Sequence, residues 1–256
     1  MGLLAVDVGN THIVFGFFEQ DQLKASWRVA TRCKATADEM ATIIASLFSL
    51  NELSLSDISA VAIASVVPLV TASLIEMSTG RLKIDPLVIG PDTDTGMPIL
   101  YDNPKEVGAD RIANAVAGFE LYGGPLIVVD FGTATTFDAI SKHGEYLGGA
   151  IAPGVEISFE ALFNRAARLS RVDLSRSERA IGRNTQSSIQ SGVILGAGGL
   201  VDRIIDRFEK EMGPVRHVVA TGGLASLIAP ECERVTAVDP TITLVGLQRI
   251  YKRNRI

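Results

Sequence analysis

Two short stretches, Asp7-Val8-Gly9-Asn10-Thr11 and Asp130-Phe131-Gly132-Thr133, each set a carboxylate two residues ahead of a glycine, with a threonine close behind. A glycine lets backbone approach a phosphate, while turn N–H groups and threonine hydroxyls donate to its oxygens. The carboxylate suits a cation or its bound water, because magnesium favours one or two carboxylates together with phosphate oxygens. Taken singly, each stretch reads more readily as an ordinary Asx or Asn-Gly hairpin turn. Two copies at matching places in a repeat turn the reading toward a pair of grips that face each other and clamp a triphosphate. The chain has no Walker A sequence and no GxGxxG after a strand, so another phosphate grip is needed.

Gly108-Ala109-Asp110-Arg111 opens a helix and joins a proton acceptor to a fork-shaped anion donor. A kinase acting on a hydroxyl needs such a base, and the arginine can hold a substrate carboxylate or screen phosphate charge. Without context, an aspartate there is a helix cap or dipole partner. Its position at the end of the long segment Gly90 to Gly108 favours the base, since unstructured loops of that length are usually functional or disordered. Thr221-Gly222-Gly223 follows a buried-looking strand and suits a loop lying flat on an adenine or ribose, although a plain glycine-rich turn explains it equally. The Arg- and Ser-rich run Ser170 to Arg183 also holds Asp173 and Glu178, so it reads as a solvated loop rather than a nucleic-acid patch.

Positioning these groups falls to a duplicated element order. Strands at Leu3 to Asp7, His12 to Phe18 and Leu23 to Val29 make an antiparallel meander, and the pattern returns at Leu126 to Asp130, Thr135 to Ile140 and Tyr146 to Ile151. Asp7 and Asp130 stand 123 residues apart, close to half of the 256-residue chain, as a duplicated domain requires. Each meander is followed by a helix (about Ala37 to Leu50; about Thr185 to Glu211), a strand (Ala60 to Ser65; His217 to Ala220) and a closing short strand and helix. The closing pairs are Leu87 to Ile89 with Ala109 to Tyr122, and Val235 to Val238 with Thr241 to Lys252. Both halves follow this order, and Phe15, Phe17, Phe18 and Trp27 read as core or interface of the first sheet.

Composition narrows the setting. With 47% hydrophobic and 21% charged residues, the chain can bury sheets on both faces. A net charge of −5 gives no global pull toward nucleic acid or anionic membrane, so an anionic ligand must be held locally. Cys33 and Cys232 have no metal or disulfide spacing, and a reducing compartment is the natural setting. The apolar first eighteen residues lack a basic leader pattern and read as strands, so the expectation is a cytoplasmic protein without a membrane anchor.

Together DVGNT (Asp7 to Thr11), GADR (Gly108 to Arg111), DFGTATTFD (Asp130 to Asp138), GGAIAPG (Gly148 to Gly154) and TGG (Thr221 to Gly223) resemble the type III pantothenate kinase family, in the family's order and over nearly the whole chain. The resemblance implies an α/β protein of two duplicated ribonuclease H-like (actin-like ATPase) domains, residues 1–122 and 123–256, each a mixed five-stranded sheet with helices. It implies transfer of the γ-phosphoryl group of ATP to the 4′-hydroxyl of pantothenate, the first step toward coenzyme A. Carried over by position, Asp7, Val8, Gly9, Asn10, Thr11, His12, Ile13 and Val14 hold ATP phosphates and Thr133 contacts ATP. Asp130 binds a monovalent cation, K+ or NH4+, and Asp7 orders the waters of Mg2+. Asp110 is the proton acceptor, and Tyr101, Gly108, Ala109, Asp110, Arg111 and Thr185 line the pantothenate site. The family forms homodimers, in which Thr185 would serve the neighbouring subunit. Two other readings stay open: an accessory factor for transcription in the same family, and another phosphotransferase or phosphohydrolase of the same actin-like fold, the latter positioning water instead of an alcohol.

Overall fold

The structure, a computed structural model, describes residues 2–165 and 172–255. Ser170 and Arg171, at the start of the expected solvated loop, lie outside the described residues; from 172 to 183 the chain has no helix or strand and is mostly exposed.

Strands β1 (Gly2–Val8), β2 (His12–Glu19) and β3 (Gln22–Ala30) form the antiparallel meander, and β4 (Ala60–Ser65) and β5 (Leu87–Val88) continue the sheet in parallel on the other side of β1. The order is β3-β2-β1-β4-β5. The second sheet is built from β6 (Leu126–Phe131), β7 (Ala134–Ile140), β8 (Tyr146–Pro153), β9 (His217–Thr221) and β10 (Ala237–Val238), ordered β8-β7-β6-β9-β10 with the same succession of antiparallel and parallel partners. Duplication therefore extends to the hydrogen-bond ladders. The helices are α1 (Ala37–Ser49), α2 (Pro68–Met77), α3 (Ala109–Tyr122), α4 (Val155–Arg165), α5 (Thr185–Met212), α6 (Ala225–Ile228) and α7 (Ile242–Arg253).

Local chemistry accounts for many of these boundaries. The Thr36 hydroxyl accepts from the N–H of Glu39, whose carboxylate accepts from the N–H of Thr36, and α1 then buries Met40, Ile44 and Phe48 at a four-residue spacing. Pro68 starts α2 where its missing N–H costs nothing. Helix α4 was not expected from sequence: among its described side chains only Val155 and Phe159 are buried, too little apolar periodicity to separate it from the preceding strand.

Alternation along β1 sends Leu4, Val6 and Val8 into a core shared with α1 and α2, together with Phe15, Phe17 and a partly buried Trp27. Leu3, Ala5 and Asp7 take the opposite face. There Ala5 pairs with Gly16 and Ala62, and a Cβ at Gly16 would come within 2.8 Å of Leu244, so small residues make room for α7. In the second sheet, Ile127, Val129, Phe131 and Phe137 join α5 and α6 in a separate core, leaving Asp130 on the other face.

Packing divides the chain into two compact units that are discontinuous in sequence. The first runs through Met97 and adds Asp102–Ala117 and everything from Ile242; the second is Pro98–Tyr101 and Gly118–Thr241. Helix α7 belongs to the first unit, where it packs on β1, β2 and β4.

Candidate active site

Asp7 is the last residue but one of β1, paired with Val14 on β2 and Ala64 on β4. The hairpin beyond it closes with the Gly9 N–H donating to the His12 carbonyl at 2.9 Å, leaving Asn10, Thr11 and His12 exposed while Val8 and Ile13 are buried. A second brace comes from Thr31, just past β3: its hydroxyl donates to the Gly9 carbonyl at 2.7 Å and its N–H to the Thr11 carbonyl at 2.9 Å. Sequence reading passed over Thr31, which stands in no motif; only its register beside β2 reveals it. Two of the three loop carbonyls, those of Gly9 and Thr11, are thus occupied by Thr31, and the N–H groups of the exposed tip face solvent beside them.

Asp110 lies in the first turn of α3 and is partly exposed, while the neighbouring Arg111 is buried to 7% exposure. A Cβ at Gly108 would collide with Oδ1 of Asp110, so the glycine of this motif makes space for the carboxylate. The helix is held from the far end of the chain: Gly246 of α7 lies so close to the Ala113 carbonyl that a side chain could not fit, and Thr243 donates to Oδ1 of Asn114 at 2.6 Å.

In the second unit Asp130 occupies the register that Asp7 holds in the first, paired with Thr136 on β7 and Thr221 on β9. The Gly132 N–H donates to the Ala134 carbonyl at 3.1 Å, so Gly132 and Thr133 alone form the loop, one residue shorter than its counterpart. Gly222 has φ +91°, and a Cβ there would strike Oδ1 of Asp130 and lie within 2.7 Å of the Phe131 backbone. Gly154 is likewise pressed against the Thr133 and Gly132 carbonyls. The TGG and GGAIAPG stretches thus converge on the Asp130 turn, Gly222 beside its carboxylate and Gly154 against the carbonyls of its loop.

Tyr101 is partly buried over Gly148 and β8, in the second unit. Thr185 is exposed at the start of α5, where Asn184 caps the helix by accepting from the Ser187 N–H. With Leu162, Arg183, Ile189 and Val193 it lines an open cavity of about 670 Å³. Cys33 is exposed, and burial beside Asp202 and Glu231 pushes the Cys232 thiol up to about 12, so this sulfur stays protonated at neutral pH.

The family model for type III pantothenate kinase matches residues 3–207. The chain is 57% identical to the type III pantothenate kinase of Moorella thermoacetica, over 98% of this chain and 99% of that one, and 54% identical to the protein of the same name from Geobacter sulfurreducens, over 99% of each. Among solved structures, the ROK hexokinase of Thermus thermophilus superposes with a TM-score of 0.54 at 13% identity, covering 99% of both chains. That likeness is one of fold.

Proposed function

The chain belongs to the type III pantothenate kinase family, and from that premise we propose that it transfers the γ-phosphoryl group of ATP to the 4′-hydroxyl of pantothenate through the residues described above. The observation that carries the reading is the equivalence of Asp7 and Asp130: same register, sheets of the same order, each followed by a glycine-bearing turn. Asp110 accepts the proton of the primary hydroxyl as its oxygen bonds to the γ-phosphorus and the bond to the departing ADP oxygen breaks. Orientation and charge neutralisation supply most of the acceleration. Tyr101, Gly108, Ala109, Arg111 and Thr185 line the pantothenate site; Asp7, Val8, Gly9, Asn10, Thr11, His12, Ile13 and Val14, with Thr133, hold the nucleotide.

Asp130 fits a monovalent cation, K+ or NH4+, since its oxygen donor is hemmed by glycine backbone that a Cβ would fill. Asp7, a hard oxygen ligand at the end of β1, fits the water shell of Mg2+. When bound, these cations neutralise phosphate charge. Purified protein is expected to consume ATP only when pantothenate is added, and faster with potassium than without it. Steady hydrolysis indifferent to pantothenate would replace the kinase with a phosphohydrolase. No consumption under any condition would favour the accessory-factor reading.

The Thr31 brace yields a narrower expectation. Thr31→Val should raise KM for ATP by about fivefold and leave KM for pantothenate within about twofold, while Thr31→Ser stays near wild type. Equal rises for both substrates would mean that Thr31 supports the fold at large rather than the phosphate turn.

A homodimer is supported by α5, where Gly192, Gly196 and Gly199 share one face with open space where side chains would stand, flanked by Leu195 and Leu200, each 40% exposed. Such a face suits close approach of a second copy, with Thr185 serving the neighbour's site. Sedimentation should give twice the 27.2 kDa chain mass; a fully active monomer would remove Thr185 from that role. No helix among the described residues is long and apolar enough to cross a membrane, and the cytoplasm is the compartment we assign.

A further inference from the structure

Tyr146 opens β8 and is completely buried, as is Asp138 on β7. Its hydroxyl donates to Oδ1 of Asp138 at 2.7 Å. Burying a carboxylate is costly unless it is hydrogen-bonded, so a Tyr–Asp bond retained at this depth holds its ring firmly. The backbone of the same tyrosine grips a distant segment: its N–H donates to the Pro98 carbonyl at 2.9 Å and its carbonyl accepts from the Leu100 N–H at 2.8 Å. Within the Gly90 to Gly108 segment, Pro98–Tyr101 belong to the second unit. The Tyr101 ring then lies 6.3 Å from the Tyr146 ring, centroid to centroid, tilted by 57°. Gly148, at φ +129°, brings bare backbone beneath Tyr101, where a Cβ would sit 3.7 Å from its ring.

We propose that Tyr146, anchored by Asp138, is the positioning residue for Tyr101 and so sets the affinity for pantothenate. This rests on reading Tyr101 as part of the pantothenate site. Tyr146 controls Tyr101 twice, through the backbone bonds that fix the segment and through the ring that limits its tilt. The hydroxyl is needed because a phenylalanine fills nearly the same volume but lacks the bond to Asp138 that fixes the ring.

Steady-state kinetics on a two-residue cycle test this. Tyr146→Phe is expected to raise KM for pantothenate by about fivefold, with kcat and KM for ATP within about twofold. In the Tyr101→Ala background, which alone should raise it by about tenfold or more, adding Tyr146→Phe is expected to change nothing further. A loss of folded protein lowers kcat without moving KM, so the split separates positioning from mere stability. If Tyr146→Phe yields no soluble protein, Asp138→Leu, which offers the Tyr146 hydroxyl no acceptor, takes its place in the same cycle. The proposal is overturned if Tyr146→Phe leaves KM for pantothenate unchanged while Tyr101→Ala raises it, or if the two effects multiply. Should Tyr101→Ala itself leave KM unchanged, the assignment of Tyr101 fails, and the inference with it.

Discussion

Asp110→Asn is expected to lower kcat by at least about a hundredfold while KM for ATP stays within about threefold of wild type. The amide has the shape of the carboxylate, so the close approach of the Gly108 backbone to Oδ1 and the first turn of α3 survive the change. What is lost is the ability to take a proton from the attacking hydroxyl, a deficit felt in the transition state and not in nucleotide binding. Steady-state kinetics with varied ATP at saturating pantothenate read both quantities. A parallel loss of ATP affinity would make Asp110 a support of the helix start instead of the base.

Gly222→Ala should damage both the stability of the second unit and its activity. A β-carbon at φ +91° carries backbone strain of about 1–3 kcal/mol, and this one also meets Oδ1 of Asp130 and the backbone of Phe131. Overpacking at a site that cannot give adds about 1–3 kcal/mol more. Each kcal/mol lowers the unfolding midpoint of a protein this size by about 2–4 °C, so a drop of several degrees is expected in calorimetry. Because the displaced group is the Asp130 carboxylate, kcat/KM for ATP should fall by at least about thirtyfold and activation by potassium should weaken. Gly80→Ala serves as the comparison, since a Cβ there meets nothing within 4 Å and both measures should hold. Wild-type kinetics in Gly222→Ala would show that Asp130 does not depend on this approach.

Much of this protein is legible in its sequence. The strands of the two meanders, the helix over Ala37 to Leu50 and the glycine hairpins all express relations among residues a few positions apart, where backbone sterics and turn chemistry decide the outcome. The repeat at 123 residues added one long-range fact, that Asp7 and Asp130 are counterparts, and the shared strand order agrees with it.

Other features were decided only by tertiary packing. Gly16, Gly246 and Gly222 sit in unrelated stretches, and the reason each lacks a side chain is an atom far along the chain: Leu244, the Ala113 carbonyl and the Asp130 carboxylate. The same holds for α7 returning to β1, for Thr31 bracing the Gly9 loop, and for Tyr146 capturing Pro98–Tyr101. A single sequence sets the period and polarity of each element because these depend on immediate neighbours. Which surfaces close on one another depends on matching shape and hydrogen bonds between residues that are distant in the chain, and this complementarity exists only once the chain has folded.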